Sequence, residues 1–183
     1  MVKTLTTRSM WHWSSPDNVP PNKVVRRIAA SQGIFMPGAP CYNDSSGTVT
    51  RRTTTTATSD RIHGFIVGVV NAATTWPLTA ELAVNTEIYV EQVDADDVYA
   101  CFVNANAADA AATDALIGVD YGLDMNATAG TIGHTTMNTG DATNVVVKVV
   151  DIMSRIEPSK HTTSDSPGVA LVQFLTAAAA TVA

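Results

Sequence analysis

From Gly33 onwards the chain consists of short apolar segments, each about as long as a β-strand and each followed by turn residues. In residues 84–93, the apolar or β-branched residues Val84, Thr86, Ile88 and Val90 alternate with Asn85, Glu87, Tyr89 and Glu91, which is the period of a half-buried strand. The acidic turn Asp94–Asp97 follows, and the apolar residues 98–103 after it predict the return strand of a hairpin. Because no strong amphipathic helix and no internal repeat accompany these segments, the predicted fold is all-β, either a small β-barrel or a β-sandwich.

The apolar segments also predict the core. Hydrophobic residues make up 45% of the 183 residues, so the chain can bury a sizeable core as one domain. The residues placed in the barrel core are those in the β-patterned apolar runs: Ile66, Val67, Val69, Ile88, Val90, Phe102, Val147, Val149, Leu171 and Phe174.

The first 30 residues differ from the rest. Prolines at positions 16, 20 and 21 disfavour regular structure there, and two of the three tryptophans, Trp11 and Trp13, lie in this segment. Exposed tryptophan is costly, so the segment is expected to dock either on a neighbouring subunit or on its own barrel. We therefore predict an extended N-terminal arm over residues 1–30, a β-barrel domain over 31–176 and a low-complexity tail over 177–183.

Charge is distributed unevenly along the chain. Residues 1–61 carry a net charge of +5 and residues 62–183 a net charge of −11, although only 15% of all residues are charged. This asymmetry favours an acidic partner, with neutralisation of the chain's own acidic part as the alternative. Nucleic acid is not the expected partner, because the basic residues form no long run or binding motif. The predicted interface combines the tryptophans with the basic residues: Trp11, Trp13, Lys23, Arg26, Arg27, Arg51 and Arg52.

No catalytic or metal-binding motif occurs in the sequence. The four histidines and two cysteines lack ligand spacing, so we predict no enzyme activity, no metal and no cofactor. The turn Asp94–Asp97 lacks the pattern of a calcium loop and is interpreted as a solvated turn. Cys41 and Cys101 are interpreted as reduced core residues, with a disulfide between them as the alternative. The apolar runs are too short to span a membrane, and the N-terminus lacks the apolar stretch of a signal peptide.

Several segments resemble the small β-barrel decoration, or cement, proteins of tailed-bacteriophage heads. The features that carry the resemblance are a basic irregular N-terminal arm, the glycine-bearing apolar strand 64–68, and a closing pair of aliphatic strands at 145–152 and 168–175. Residues 38–42 and 45–48, between the arm and the first apolar strand, also belong to the pattern. The resemblance covers roughly residues 33–175 and includes no catalytic residues.

The resemblance implies a structural virion protein that binds the outside of a capsid shell and stabilises it. The implied partners are the major capsid protein and neighbouring copies of the chain, as a trimer or dimer. The implied location is the capsid exterior, after assembly in the host cytoplasm. Two alternatives remain: another virion part, such as a head-fibre base, a tail subunit or a minor coat subunit, or a carbohydrate-binding β-module.

The core assignment can be tested at Val149. Replacing Val149 with Asp should lower the free energy of unfolding by several kcal/mol, because the change would bury an unpaired charge. Thermal unfolding followed by circular dichroism measures the effect. A variant that melts at the wild-type temperature would show that Val149 lies outside the core.

Overall fold

The computed structural model describes residues 10–44, 46–52, 62–71, 78, 80–106, 108–125 and 135–175. Apart from a 3₁₀ turn at Asp114–Leu116 and a single-turn helix α1 at Met153–Ile156, their regular structure is β, so the all-β prediction is confirmed. The described strands are β1 Met10–Ser14, β2 Lys23–Arg27, β3 Ala39–Asn43, β4 Val49–Arg51, β5 Gly64–Val69, β6 Glu87–Gln92, β7 Val98–Ala105, β8 Ala108–Asp109, β9 Asp120–Met125, β10 Thr135–Asn138, β11 Val147–Ile152 and β12 Val169–Phe174.

Five of these strands close into a barrel. Their order is β7-β10-β9-β11-β12, and β12 pairs in turn with β7. The pairings are antiparallel except for β10 with β7, which run parallel. Closure removes the free edges that an open sheet would expose. Two further strands, β1 and β8, add to β7 outside the ring.

The remaining strands form a second sheet in the order β2-β6-β5-β3-β4, with antiparallel pairing throughout. A single parallel bridge between Ile28 and Val49 joins its two end strands. At this bridge the amide of Ala29 donates a hydrogen bond to the Val49 carbonyl at 2.9 Å. The second sheet therefore curls around its own core, which contains Ile28 and Val49 themselves.

The turn between β3 and β4 is organised by Asp44. Its carboxylate accepts hydrogen bonds from the backbone amides of Ser46 and Thr48 and from both hydroxyls. These donors, led by the two hydroxyls, lower the pKa of Asp44 to about 2. The chain thus turns after Asp44 because this aspartate satisfies several neighbouring donors at once.

Aromatic rings join the barrel to the second sheet. Phe65 of β5 belongs to the second sheet, yet its ring packs into the barrel core, 5.2 Å from the Tyr99 ring and 5.8 Å from the Phe174 ring. The rings of Tyr99 and Phe174 are 5.5 Å apart in an edge-on arrangement. Each such pair contributes about 0.5–1.5 kcal/mol beyond the burial of its area.

The residues predicted for the barrel core are mostly buried, but not in one core. Val147, Val149 and Phe174 lie in the barrel core, Ile66, Ile88 and Val90 in the core of the second sheet, and Phe102 and Leu171 in a third cluster. Eight of the ten residues are buried, whereas Val67 and Val69 are half-buried near the end of β5. Both cysteines are buried, free thiols, so the disulfide alternative is wrong. Burial raises the pKa of Cys101 to about 12 and that of Cys41 still further.

The predicted hairpin between residues 84–93 and 98–103 is wrong. The strands β6 and β7 exist, but β6 pairs with β2 and β5, whereas β7 pairs with strands of the barrel and with β1. The turn Asp94–Asp97 therefore passes from one sheet to the other. Alternation identified the strands, but their partners are distant in sequence.

The prediction of an extended arm over residues 1–30 is wrong for residues 10–30. Both β1 and β2 fall within that range, and each pairs along its length with an internal strand. Met10 is buried, and the Trp11 ring packs edge-on against Phe102 with centroids 5.8 Å apart. The alternative, in which the segment docks on its own barrel, is the one found. Residues 1–9, and the tail 177–183, lie outside the described part of the chain.

Gly38 controls how closely the second sheet approaches β1. Its φ is +82°, and a Cβ at this position would overlap the backbone of Met10. Gly38→Ala should therefore displace β1 from β7 and lower the free energy of unfolding by about 2 kcal/mol or more. Urea unfolding followed by fluorescence measures the change. Gly47→Ala is a matched control, because Gly47 also has positive φ but no atoms lie within 4 Å of its Cβ position. Equal losses in the two variants would contradict the role given to the Met10 contact.

Candidate partner-binding site

The seven residues predicted as an interface do not form one surface. Trp11 lies on β1 and is half-buried against Phe102, so most of its ring serves the chain's own fold. Lys23 begins β2, and its Nζ lies 3.5 Å from Glu91 Oε1 on the neighbouring strand β6. Trp11, Lys23 and Glu91 meet along a cleft of about 250 Å³ between the two sheets.

Arg51 and Arg52 are buried, so the prediction that they extend a basic surface is wrong. The Arg51 guanidinium lies 5.6 Å from the centre of the Phe35 ring, and its Nη1 donates to the Ile34 carbonyl at 3.3 Å. Burial lowers the pKa of Arg51, and the charge of Glu81 opposes that shift. The Arg52 guanidinium lies 5.6 Å from the Tyr42 ring centre. The bridge between Ile28 and Val49 turns this part of the second sheet inward.

The remaining basic residues of the predicted interface lie on β2. Arg26 donates from Nη1 to the carbonyl of its neighbour Val25 at 3.1 Å. Arg27 is exposed and stands directly opposite Glu87 on β6. Lys23 and Arg27 are thus placed beside acidic residues of β6, whereas Arg26 stands opposite Ile88.

Of the two tryptophans in the predicted interface, Trp13 is the more exposed. The pairing of β1 with β7 is irregular at this point: His12 is opposite Tyr99 and Ser14 opposite Val98, so Trp13 has no opposite residue. Such a bulge re-aims the side chain of the extra residue. Trp13 is 37% exposed, which is high for a large aromatic side chain.

The loop that follows β1, residues 15–22, is held by a chain of hydrogen bonds. Ser15 Oγ donates to the Val19 carbonyl at 2.7 Å, and His12 Nε2 lies 2.9 Å from the same Oγ. Because the hydroxyl proton is directed at Val19, His12 Nε2 must donate to Ser15. The Val19 amide donates to Asp17 Oδ1 at 3.1 Å. The side chains of Ser15 and Asp17 therefore both bond to the backbone of Val19 and close the loop.

The base of the loop is fastened to the second sheet. Asn22 Nδ2 donates to Gln92 Oε1 at 2.6 Å, and the Gln92 amide donates to the Asn22 carbonyl at 2.9 Å. A cleft of about 240 Å³ separates the loop from the turn Asp94–Asp97. At the tip, Val19 is 57% exposed. The structure therefore presents Trp13 and Val19 on a segment whose backbone is fixed by its own contacts.

Ser15, His12 and Asp97 do not form a catalytic triad. Ser15 Oγ and Asp97 Oδ2 both approach the same histidine nitrogen, Nε2, at 2.9 and 3.5 Å. A triad requires the carboxylate on one ring nitrogen and the serine on the other, and a serine whose proton passes to the histidine. Here the serine proton is directed at a carbonyl, so the arrangement fixes the loop.

Within the described ranges, no group of three or more His, Cys, Asp or Glu side chains could hold a metal ion. None of the helices in the same ranges has both the length and the apolar character needed to cross a membrane. Comparison with family models, with curated proteins and with solved structures found no match to this chain.

The exposure of Val19 and the contacts of the loop were not predicted from the sequence. Ser15 and Asp17 are common turn residues whose side chains often bond to nearby backbone groups. The local sequence therefore could have predicted a loop held by side-chain hydrogen bonds. The local sequence could not have predicted the bulge at Trp13, because the bulge depends on the register of β1 against a strand some 90 residues away.

The loop should loosen when Ser15 loses its hydroxyl. Ser15→Ala removes the bonds to His12 and Val19, so cleavage by a protease within residues 15–22 should become faster while the melting temperature changes little. Ser14→Ala, one residue earlier and exposed, is the control. If the two variants are cleaved at the same rate, the hydroxyl does not hold the loop.

Proposed function

We propose that this chain is a non-enzymatic structural subunit that decorates the outside of a tailed-phage head. Its partner would be the major capsid protein, and its place the capsid exterior after assembly in the host cytoplasm. The sequence resemblance to decoration proteins and the all-β fold support this proposal. So does the low share of charged residues, 15% of the chain, which suits a surface held against neighbours.

The observation that carries the proposal is the exposure of Trp13 on β1 and of Val19 on the fixed loop that follows it. Aromatic anchors concentrate binding energy in protein interfaces, and tryptophan is enriched among them. A segment already ordered in the free chain loses less conformational entropy when it binds. The contact with the shell is therefore assigned to the end of the molecule formed by Trp13 and residues 15–22.

Electrostatic attraction has a smaller part in this contact than the charge asymmetry suggested. The two buried arginines, Arg51 and Arg52, cannot reach a partner, and Lys23 is engaged with Glu91. The second interpretation of the asymmetry, in which basic residues neutralise the chain's own acidic part, fits the contact of Lys23 with Glu91. Raising the ionic strength should consequently weaken shell binding only slightly.

The proposal can be tested with shells assembled from the major capsid protein proposed as the partner. The wild-type chain should co-sediment with expanded shells, and Trp13→Ala should reduce its affinity about tenfold or more, as expected for an aromatic anchor. Ile156→Ala, at an exposed apolar residue of α1, should bind as the wild type does.

Circular dichroism of both variants should match the wild type, since Trp13 has no partner residue in the sheet. A wild-type chain that fails to bind the shells would overturn the decoration role. Wild-type affinity in Trp13→Ala would instead remove this end of the molecule from the contact.

A further inference from the structure

The side of the β2–β6 ribbon that faces away from the second sheet's core borders the cleft to Trp11 at its Lys23–Glu91 end and is exposed at its Arg27–Glu87 end. Residues alternate between the two sides of a strand, and Val24, Ile88 and Val90 pack into the core of the second sheet. The alternate positions must therefore face away from that core. We call them the β2–β6 face: Lys23, Val25 and Arg27 of β2, and Glu87, Tyr89 and Glu91 of β6.

The centre of the β2–β6 face is apolar and open. Val25 is 46% exposed and stands opposite Tyr89, which is half-buried. The Tyr89 ring lies against Gly68, where a Cβ would be 3.5 Å from the ring. An apolar centre of this kind, bordered by charged residues, has the anatomy of a small protein interface.

The charges at the border follow a simple rule. Both basic residues are on β2 and both acidic residues are on β6, and the pairs lie in register, Lys23 opposite Glu91 and Arg27 opposite Glu87. The apolar pair lies between them. One long side of the face is thus positive and the other negative.

We propose that the β2–β6 face binds the same face of a second copy of this chain. A twofold axis parallel to the strands and midway between them lays β2 of one copy over β6 of the other. Lys23 then meets the second copy's Glu91, and Arg27 its Glu87, while Val25 meets Tyr89 in both directions. Each cation thereby faces an anion, which is the self-complementarity that an isologous interface requires.

Pairing of β2 edges would be a different way to join two copies, and the charges disfavour it. The Ile28 amide donates to the Thr86 carbonyl, and the Gln92 amide donates to the Asn22 carbonyl. Because the bonding direction alternates along an antiparallel strand, the even-numbered residues of β2 direct their backbone groups towards β6. The backbone groups of Lys23, Val25 and Arg27 therefore point to the free edge of β2. Antiparallel pairing of two such edges about Val25 would place Lys23 beside Arg27 of the other copy, and directly opposed like charges are destabilising.

The arrangement of charges also disfavours other binding partners at the β2–β6 face. A strongly acidic or basic partner would be attracted by one long side and repelled by the other. A second copy turned about the twofold axis avoids this conflict. The inference deepens the proposed function by naming the neighbouring copy and the surface it uses, but it concerns the isolated chain and is tested without shells.

The test is a charge exchange between Arg27 and Glu87. Sedimentation equilibrium of the wild-type chain should show a mass that rises with concentration towards twice 19.2 kDa. Arg27→Glu alone places the new carboxylate against Glu87 of the other copy on both sides of the axis and should raise the dimer dissociation constant about tenfold or more. The double variant Arg27→Glu with Glu87→Arg restores opposite charges across the axis and should recover the wild-type dissociation constant.

A separate substitution tests the apolar centre. Val25→Asp should also give a monomer, whereas Ile156→Asp, at a similarly exposed residue of α1, should leave dimerisation unchanged. Reversal of the exposed pair Glu157 and Lys160, 3.0 Å apart, controls for a general effect of charge.

A wild-type chain that stays monomeric at all concentrations would overturn the inference, as would a folded double variant that remains as weak as Arg27→Glu. Either result would leave the shell-binding experiment with Trp13→Ala untouched, so the dimer and the decoration role can fail separately.

Discussion

The ring of Tyr99 packs among Phe65, Phe174 and His12, with centroid distances between 5.2 and 5.8 Å. These three side chains come from β5 of the second sheet, β12 of the barrel and β1 of the N-terminal segment. The Tyr99 hydroxyl also accepts a hydrogen bond from the Asp94 amide at 3.1 Å, and burial raises the pKa of this phenol. One side chain of β7 therefore connects the barrel, the second sheet, β1 and the acidic turn.

The candidate binding surface depends on the same connection. With β1 held on β7, His12 reaches both Ser15 and Asp97, and the loop 15–22 stands beside the acidic turn. Trp13 is exposed only because the register of β1 leaves it without an opposite residue. The chain thus presents apolar side chains from a well-connected backbone, which lowers the entropic cost of binding a partner.

The β2–β6 face has a separate origin in the second sheet. There, strand alternation places charged and apolar residues on the outward side, and antiparallel register arranges them in opposite pairs. The two surfaces use different elements, so a chain of this design could contact a shell at one end and a second copy along a strand ribbon.

Local sequence patterns predicted much of the β structure. Alternation in residues 84–93 corresponds to β6, and the apolar runs near 147–152 and 169–174 correspond to β11 and β12. Pairing was less predictable, because the partners of β6 and β7 lie far away in sequence. The segment containing Trp11 was interpreted as an arm since prolines follow it, and nothing local indicated that Phe102 would cover the indole. The burial of Arg51 likewise depended on a tertiary contact with Phe35.

The central claim is that β1 is an integral strand whose attachment to β7 positions the candidate binding surface. Native-state hydrogen exchange of the β1 amides that bond to β7 tests this most directly. The account predicts that they exchange only through global unfolding, with the same free energy as the amides in the middle of β7. Exchange of the β1 amides at rates near those of an unfolded chain, while β7 stays protected, would contradict it.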